Sequence, residues 1–217
     1  LGYPRFATQG GDWGASVSAR LGFAHPDKTI GVHLNLLPLR RDTTQLANGN
    51  AAEQQYLKEL KHWLGEETGY SQQQGTRPQT LAFALTDSPV GLAAWIVEKM
   101  RAWSDCGGDV EFVFSKDEIL ANVGLYWFTG AIGSSFWPYY ARQHAPDWPI
   151  PEGHTVDVPM GYAEFPAEIV RPPQSLAART FTDIQRWSVM PRGGHFAAME
   201  QPEALAEEIR AFYRGLR

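Results

Sequence analysis

Five residues limit this chain more than any others: Gly10-Gly11-Asp12-Trp13-Gly14, with the apolar-rich run Tyr3 to Gln9 before them and Ala15 to Phe23 after. The first run reads as a strand and the second as a helix, so the glycines mark the tight turn between them. Strand, glycine-flanked turn and helix are the parts of a nucleophile elbow, which holds one reactive side chain on a strained corner at the top of a sheet. Here the elbow residue is Asp12. Gly10 and Gly14 fit, because a side chain at either point is expected to collide with the neighbouring strand or helix at so sharp a turn. A serine in that place must lose a proton to a base before attacking, whereas a carboxylate is already ionised at neutral pH. An aspartate elbow therefore points to displacement at a saturated or strained carbon, leaving an alkyl ester on the protein. The competing explanation is an aspartate that only stabilises a helix N-terminus, where the dipole and free N–H groups favour an anion.

With 217 residues the chain can bury one core, or a core with an inserted lid. Its 43% hydrophobic and 20% charged residues fit a globular domain and exclude a disordered or collagen-like chain. A net charge of −5 leaves no basic footprint for nucleic acid or an anionic membrane surface. The single cysteine, Cys106, can form neither an internal disulfide nor a thiolate metal site. No apolar run approaches the roughly 18 residues of a membrane span, and no internal repeat is visible. The chain starts at Leu1, close before the end of its first strand, yet a doubly wound sheet needs strands on both sides of its functional turn. The expectation is the C-terminal portion of a longer protein, with any targeting peptide or anchor upstream of Leu1. On that reading the provisional location is the cytoplasm.

Three segments follow from the patterning: a core portion over 1–38, a helical cap over 39–154 and a second core portion over 155–217. Pro26-Asp27 ends the elbow helix, and Thr29 to Leu37 reads as a buried strand. His33 and Asn35 lie two apart on it and face the same way. His33 has no metal or nucleophile partner nearby in sequence and reads as a satisfied structural histidine. In the cap segment, helices are expected to be joined by long polar connections. Tyr56, Leu57, Leu60, Trp63 and Leu64 form one helical face. Ser88-Pro89 opens a second helix, and Ser115 to Glu118 is a capping box opening a third. Such a lid commonly closes over a pocket and excludes water.

The core pattern returns with an alternating strand over Thr155 to Phe165, ending in Phe165-Pro166-Ala167-Glu168. A short helix to about Thr180, a strand over Asp183 to Pro191 and a helix over Pro202 to Leu216 follow. Between the last strand and helix lies Arg192-Gly193-Gly194-His195, where the chain order nucleophile, acid, histidine places a base. Glu164, Glu168 and Asp157 compete for the acid.

These stretches together resemble the epoxide hydrolases of the α/β-hydrolase fold, most closely the microsomal-type branch, over essentially the whole chain. The resemblance is carried by Gln9 to Gly14, Asp87 to Leu92, Asn122 to Gly130, Ser134-Ser135, Phe165 to Glu168 and Arg192 to Ala198. It implies an α/β fold with an inserted helical cap, and hydrolysis of a small-molecule epoxide by water to a vicinal diol, without cofactor or metal. It further implies Asp12 as nucleophile, His195 as base for the attacking water, and Glu168, in the family's Phe-Pro-x-Glu motif, holding the imidazole. Tyr70 and Tyr139 occupy the places of two cap tyrosines that donate to the epoxide oxygen, with Tyr140 adjacent to the second. The backbone N–H of Trp13 would be one oxyanion donor, and Trp13, Tyr70 and Tyr139 would touch substrate. No nucleic acid or membrane partner is implied, and a homodimer stays open.

The sequence departs from the family in lacking the His-Gly-x-Pro loop that supplies the second oxyanion donor. One such donor is worth on the order of 10²- to 10³-fold in rate. The isolated 217-residue chain is therefore expected to be inactive or poorly folded, while the protein carrying it is active. Two rivals remain at this stage. A haloalkane dehalogenase uses the same ester chemistry, but expelling halide calls for indole-type N–H donors where an alkoxide calls for phenols. The other is an inactive α/β-hydrolase that serves as a binding module.

Overall fold

The computed structural model describes residues 2–41, 46, 48–145 and 149–216. The chain divides into two compact units, Leu1–Trp63 with Trp148–Arg217, and Leu64–Asp147.

The first unit is built on four parallel strands, β1 (Phe6–Gly10), β2 (Thr29–Leu34), β3 (Met160–Glu164) and β4 (Ile184–Val189), in that spatial order. Helices cover both faces of a parallel sheet, so its inner strands are buried on both sides. Met160, Gly161, Tyr162 and Ala163 are all buried, which corrects the alternating strand expected over Thr155 to Phe165. Ahead of β3 there is only a single parallel bridge, Val156 to Phe181. One face packs against helix α1 (Asp12–Ala24), where Gly22 lets the helix close on the sheet: a Cβ there would lie 2.8 Å from Val32 Cγ2. Ala15, Ala19, Val32, Leu34, Met160 and Tyr162 form this core.

The other face is covered by the C-terminal helix (Pro202–Arg214), whose Phe212 ring leaves no room for a side chain at Gly161. The same helix buries Glu208, which receives two hydrogen bonds from Arg186 on β4, at 2.6 and 2.8 Å. His33, in the middle of β2, is fully buried, and its ring lies 5.8 Å from that of Phe212. It is not the satisfied histidine expected: neither ring nitrogen has a hydrogen-bond partner among the described residues. Burial pushes its pKa down to about 4, against the attraction of Glu208, so it stays neutral and packs as an aromatic ring.

Helix α2 (Ala51–Glu66) belongs to this unit through Trp63. Its Tyr56, Leu57, Leu60 and Trp63 are buried with Val170, beside Ile169 and Leu176 from the segment after β3. The compact units divide at 63/64 and 147/148, which places α2 with the sheet because its apolar face is used against the sheet's own connections.

The second unit is helical: α3 (Gly69–Thr76), α4 (Pro78–Asp87), α5 (Pro89–Trp103), α6 (Lys116–Thr129), α7 (Ile132–Ser135) and α8 (Trp137–His144). Ser88 caps α5 by accepting from Gly91 N. Ser115 and Glu118 form the reciprocal capping box of α6, which ends at Gly130 in the left-handed region, φ 64°. Leu85, Leu92, Val123, Ile132 and Phe136 make its core. The long polar connections expected before Ser88 are the helices α3 and α4. Among the described residues, no single helix is long and apolar enough to cross a membrane.

Candidate active site

Asp12 is the one non-glycine with positive φ among the described residues, at 44°. It stands where β1 turns into α1, and a left-handed backbone at an aspartate is strained enough to need support from its surroundings. That support is steric. A Cβ on Gly10 would lie 2.1 Å from the carbonyl oxygen of Gly14, and one on Gly11 would lie 2.5 Å from Asn35 Nδ2. At Gly14 nothing lies within 4 Å of the added carbon. The two glycines that the corner requires are thus Gly10 and Gly11, whereas Gly14 only supplies the backbone that Gly10 approaches. Asn35, absent from the expected site residues, braces the corner. Its Oδ1 accepts from Gln9 Nε2 at 2.9 Å and its backbone N–H donates to Gly10 O at 3.2 Å. A buried amide at the end of an apolar strand was the signal for it.

Gly10→Ala is expected to lower stability by about 1–3 kcal/mol, because backbone must move to admit the methyl. Gly14→Ala should leave the unfolding temperature unchanged or raise it. Thermal unfolding of both variants of the full protein checks this contrast.

The acid and histidine arrive on two loops that are stitched together. After β3, Ala167 N donates to Gly193 O at 3.0 Å, and Ala167 forms a parallel bridge with Gly194. Gly193 has φ 105°, and a Cβ on it would lie 2.8 Å from Phe165. Glycine is needed there for both reasons. The stitching places Glu168 Oε1 at 2.6 Å from His195 Nδ1, and the same oxygen accepts from Ile169 N at 2.8 Å. His195 Nε2 lies 3.5 Å from Asp12 Oδ2. The Glu168 side chain is fully enclosed, the His195 ring is 5% exposed, and the Asp12 carboxylate is 53% exposed, so the outer end of the row alone is open to a reactant. The rival acids point elsewhere: Glu164 accepts from Trp187 Nε1, and Asp157 from the Thr182 hydroxyl.

Burial opposes charge on His195, but hydrogen bonds to the Asp12 and Glu168 carboxylates and their negative charge outweigh it. The pKa is raised to about 10. The imidazole is therefore a cation between two carboxylates at neutral pH, with the Glu168 bond fixing Nδ1 as a donor.

In the helical unit, Tyr70 on α3 and Tyr139 on α8 meet edge to face, ring centroids 5.7 Å apart. Tyr140 turns away and stacks on His144 at 4.0 Å. Trp13 is half-buried in the first turn of α1. Among the described residues, no three His, Cys, Asp or Glu side chains are grouped to hold a metal ion.

No family profile matches the sequence. Epoxide hydrolase 1 of Oryctolagus cuniculus, however, is 36% identical over 236 residues, covering 98% of this chain and 51% of that protein. The crystal structure of juvenile hormone epoxide hydrolase from Bombyx mori superposes with a TM-score of 0.87 at 30% identity, covering 100% of this chain and 56% of the other. The chain is homologous throughout to the epoxide hydrolases of the α/β-hydrolase fold. Aspergillus niger epoxide hydrolase matches with a TM-score of 0.81 at 29% identity, over 100% of this chain and 54% of its own. The chain spans about half the length of the epoxide hydrolases it matches. The parallel sheet and helical unit thus form part of an α/β-hydrolase fold with its helical cap, as the sequence motifs imply.

Proposed function

We propose that the protein carrying this chain hydrolyses epoxides to vicinal diols through an ester on Asp12. An Asp12 oxygen attacks an epoxide carbon, the ring C–O bond breaks, and the departing oxygen takes a proton from one of the Tyr70 and Tyr139 hydroxyls while the other donates a hydrogen bond; the tyrosinate left behind is reprotonated from solvent. His195, its Nε2 proton lost to solvent, then takes a proton from water and the hydroxide attacks the ester carbonyl; as the tetrahedral intermediate collapses, its hydroxyl proton passes to the departing alkoxide, and the diol leaves as Asp12 returns to carboxylate. Glu168 keeps Nδ1 protonated so that Nε2 faces the water, and it stabilises the imidazolium that forms.

The observation that carries this reading is the row of Asp12 on its positive-φ corner, His195 at 3.5 Å and Glu168 at 2.6 Å. Its electrostatics suit the two steps. While Asp12 is charged, His195 is a cation and cannot act as a base. Once Asp12 becomes a neutral ester, the imidazole loses one of its two supporting charges, and its pKa falls toward the range where it can take a proton. The attack thereby releases the base for the next step.

The paired phenols of Tyr70 and Tyr139 favour an alkoxide over a halide leaving group. Incubating the full protein with styrene oxide should give phenylethanediol, and a bromoalkane should release no bromide. Bromide without diol would replace this reading with dehalogenation, and neither product would favour a binding module.

A further inference from the structure

Tyr70 does not stand alone in the helical unit, for its ring faces a cation. Lys99 Nζ, on α5, lies 5.2 Å from the centre of the Tyr70 ring and 5.3 Å from that of Trp103. The ammonium is held there by two carboxylates, Glu67 Oε2 at 3.2 Å and Glu98 Oε2 at 2.9 Å. Glu67 Oε2 also accepts from Trp103 Nε1 at 3.2 Å, so one carboxylate ties the cation to the indole beside it. Trp103 in turn meets the Tyr70 ring edge to face at 5.2 Å. With Tyr139 also in edge contact, the ring is flanked by two aromatic neighbours and faced by a charge.

An ammonium held over an aromatic face is attracted to it, and the attraction grows as negative charge develops on the ring. A phenol that gives its proton to a departing oxygen gains charge in just this way. Only interactions that strengthen in the transition state accelerate a step. Resting on the epoxide reading above, we infer that Lys99 is a positioning residue for Tyr70, holding the ring and favouring proton donation to the epoxide oxygen. Glu67 and Glu98 hold the ammonium against the ring, and Lys99 offsets one of these two negative charges beside the phenol, so its loss would leave both uncompensated.

The effect belongs to ring opening and not to ester hydrolysis, which the phenol does not serve. In the full protein, Lys99→Met is expected to slow ester formation about 3- to 30-fold, measured by rapid quench with enzyme in excess, and to leave the rate of ester breakdown unchanged. Lys99→Arg, which keeps a cation over the ring, should restore most of the rate. Adding Lys99→Met to Tyr70→Phe should produce no further slowing. The rates are compared per folded enzyme, with the folded fraction of each variant read from its thermal unfolding.

Epoxides with electron-withdrawing substituents on the carbon that keeps the departing oxygen need less help from an acid and should be less sensitive to Lys99→Met. Wild-type ester formation with an unchanged rate in Lys99→Met, equal slowing of both steps, or further slowing on top of Tyr70→Phe would each overturn the inference and leave the epoxide reading standing. The absence of any ester in the wild type would overturn both.

Discussion

Asp12→Ala is expected to lower kcat/KM of the full protein by about 10⁴- to 10⁶-fold, the range seen when a covalent nucleophile is removed from a working site. The loss should come without unfolding, because the strain at φ 44° is imposed by the close approach of Gly10 and Gly11 to their neighbours, not by the carboxylate. The variant should also change the histidine. Asp12 is one of two carboxylates that hold His195 near 10, so its removal moves the imidazole titration downward, which nuclear magnetic resonance of the ring protons would follow.

The sign of the stability effect follows from linkage. The folded pKa is raised above the ordinary value of 6.5, so the pairing contributes stability that is fully present below 6.5 and lost as pH rises through about 10. Asp12→Ala should reduce that alkaline loss.

His195→Gln separates the two steps. The imidazole is not the attacking group, so Asp12 can still open the ring, but no base remains to activate water. Turnover is expected to fall by about 10³-fold or more, while one equivalent of substrate remains on the protein. Opening an epoxide expels no fragment, so the intact mass should rise by the full mass of the epoxide. Peptide mapping should place it on Asp12. A variant that turns over slowly without accumulating adduct would show that His195 acts in the first step.

Much of this site is legible in the sequence because it depends on short-range chemistry. Glycines next to an aspartate, an acid after a Phe-Pro and a histidine after paired glycines announce the turns that carry them. What brings them together is not local. The bond from Ala167 N to Gly193 O joins two loops separated by β4 and its preceding segment. The role of Asn35 appears only when its amide is found against Gly11. The same limit explains Gly14, whose place in the motif suggested a steric need that belongs to Gly11. Helix α3 escaped because Gly69 to Thr76 offers no apolar stripe, only glutamines, serine, threonine and glycine around Tyr70. The start of the helical unit at Leu64 was hidden for the opposite reason: α2 shows a clear apolar stripe, but a stripe does not say which neighbour it covers.

A single turnover in water enriched in oxygen-18, with enzyme in excess over epoxide, tests the ester on Asp12 most directly. The account predicts a first diol free of solvent label, its new oxygen drawn from the Asp12 carboxyl, and label in that carboxyl afterwards. Label in the diol from this first turnover, with none in the Asp12 peptide, would contradict it and leave direct attack of water on the epoxide.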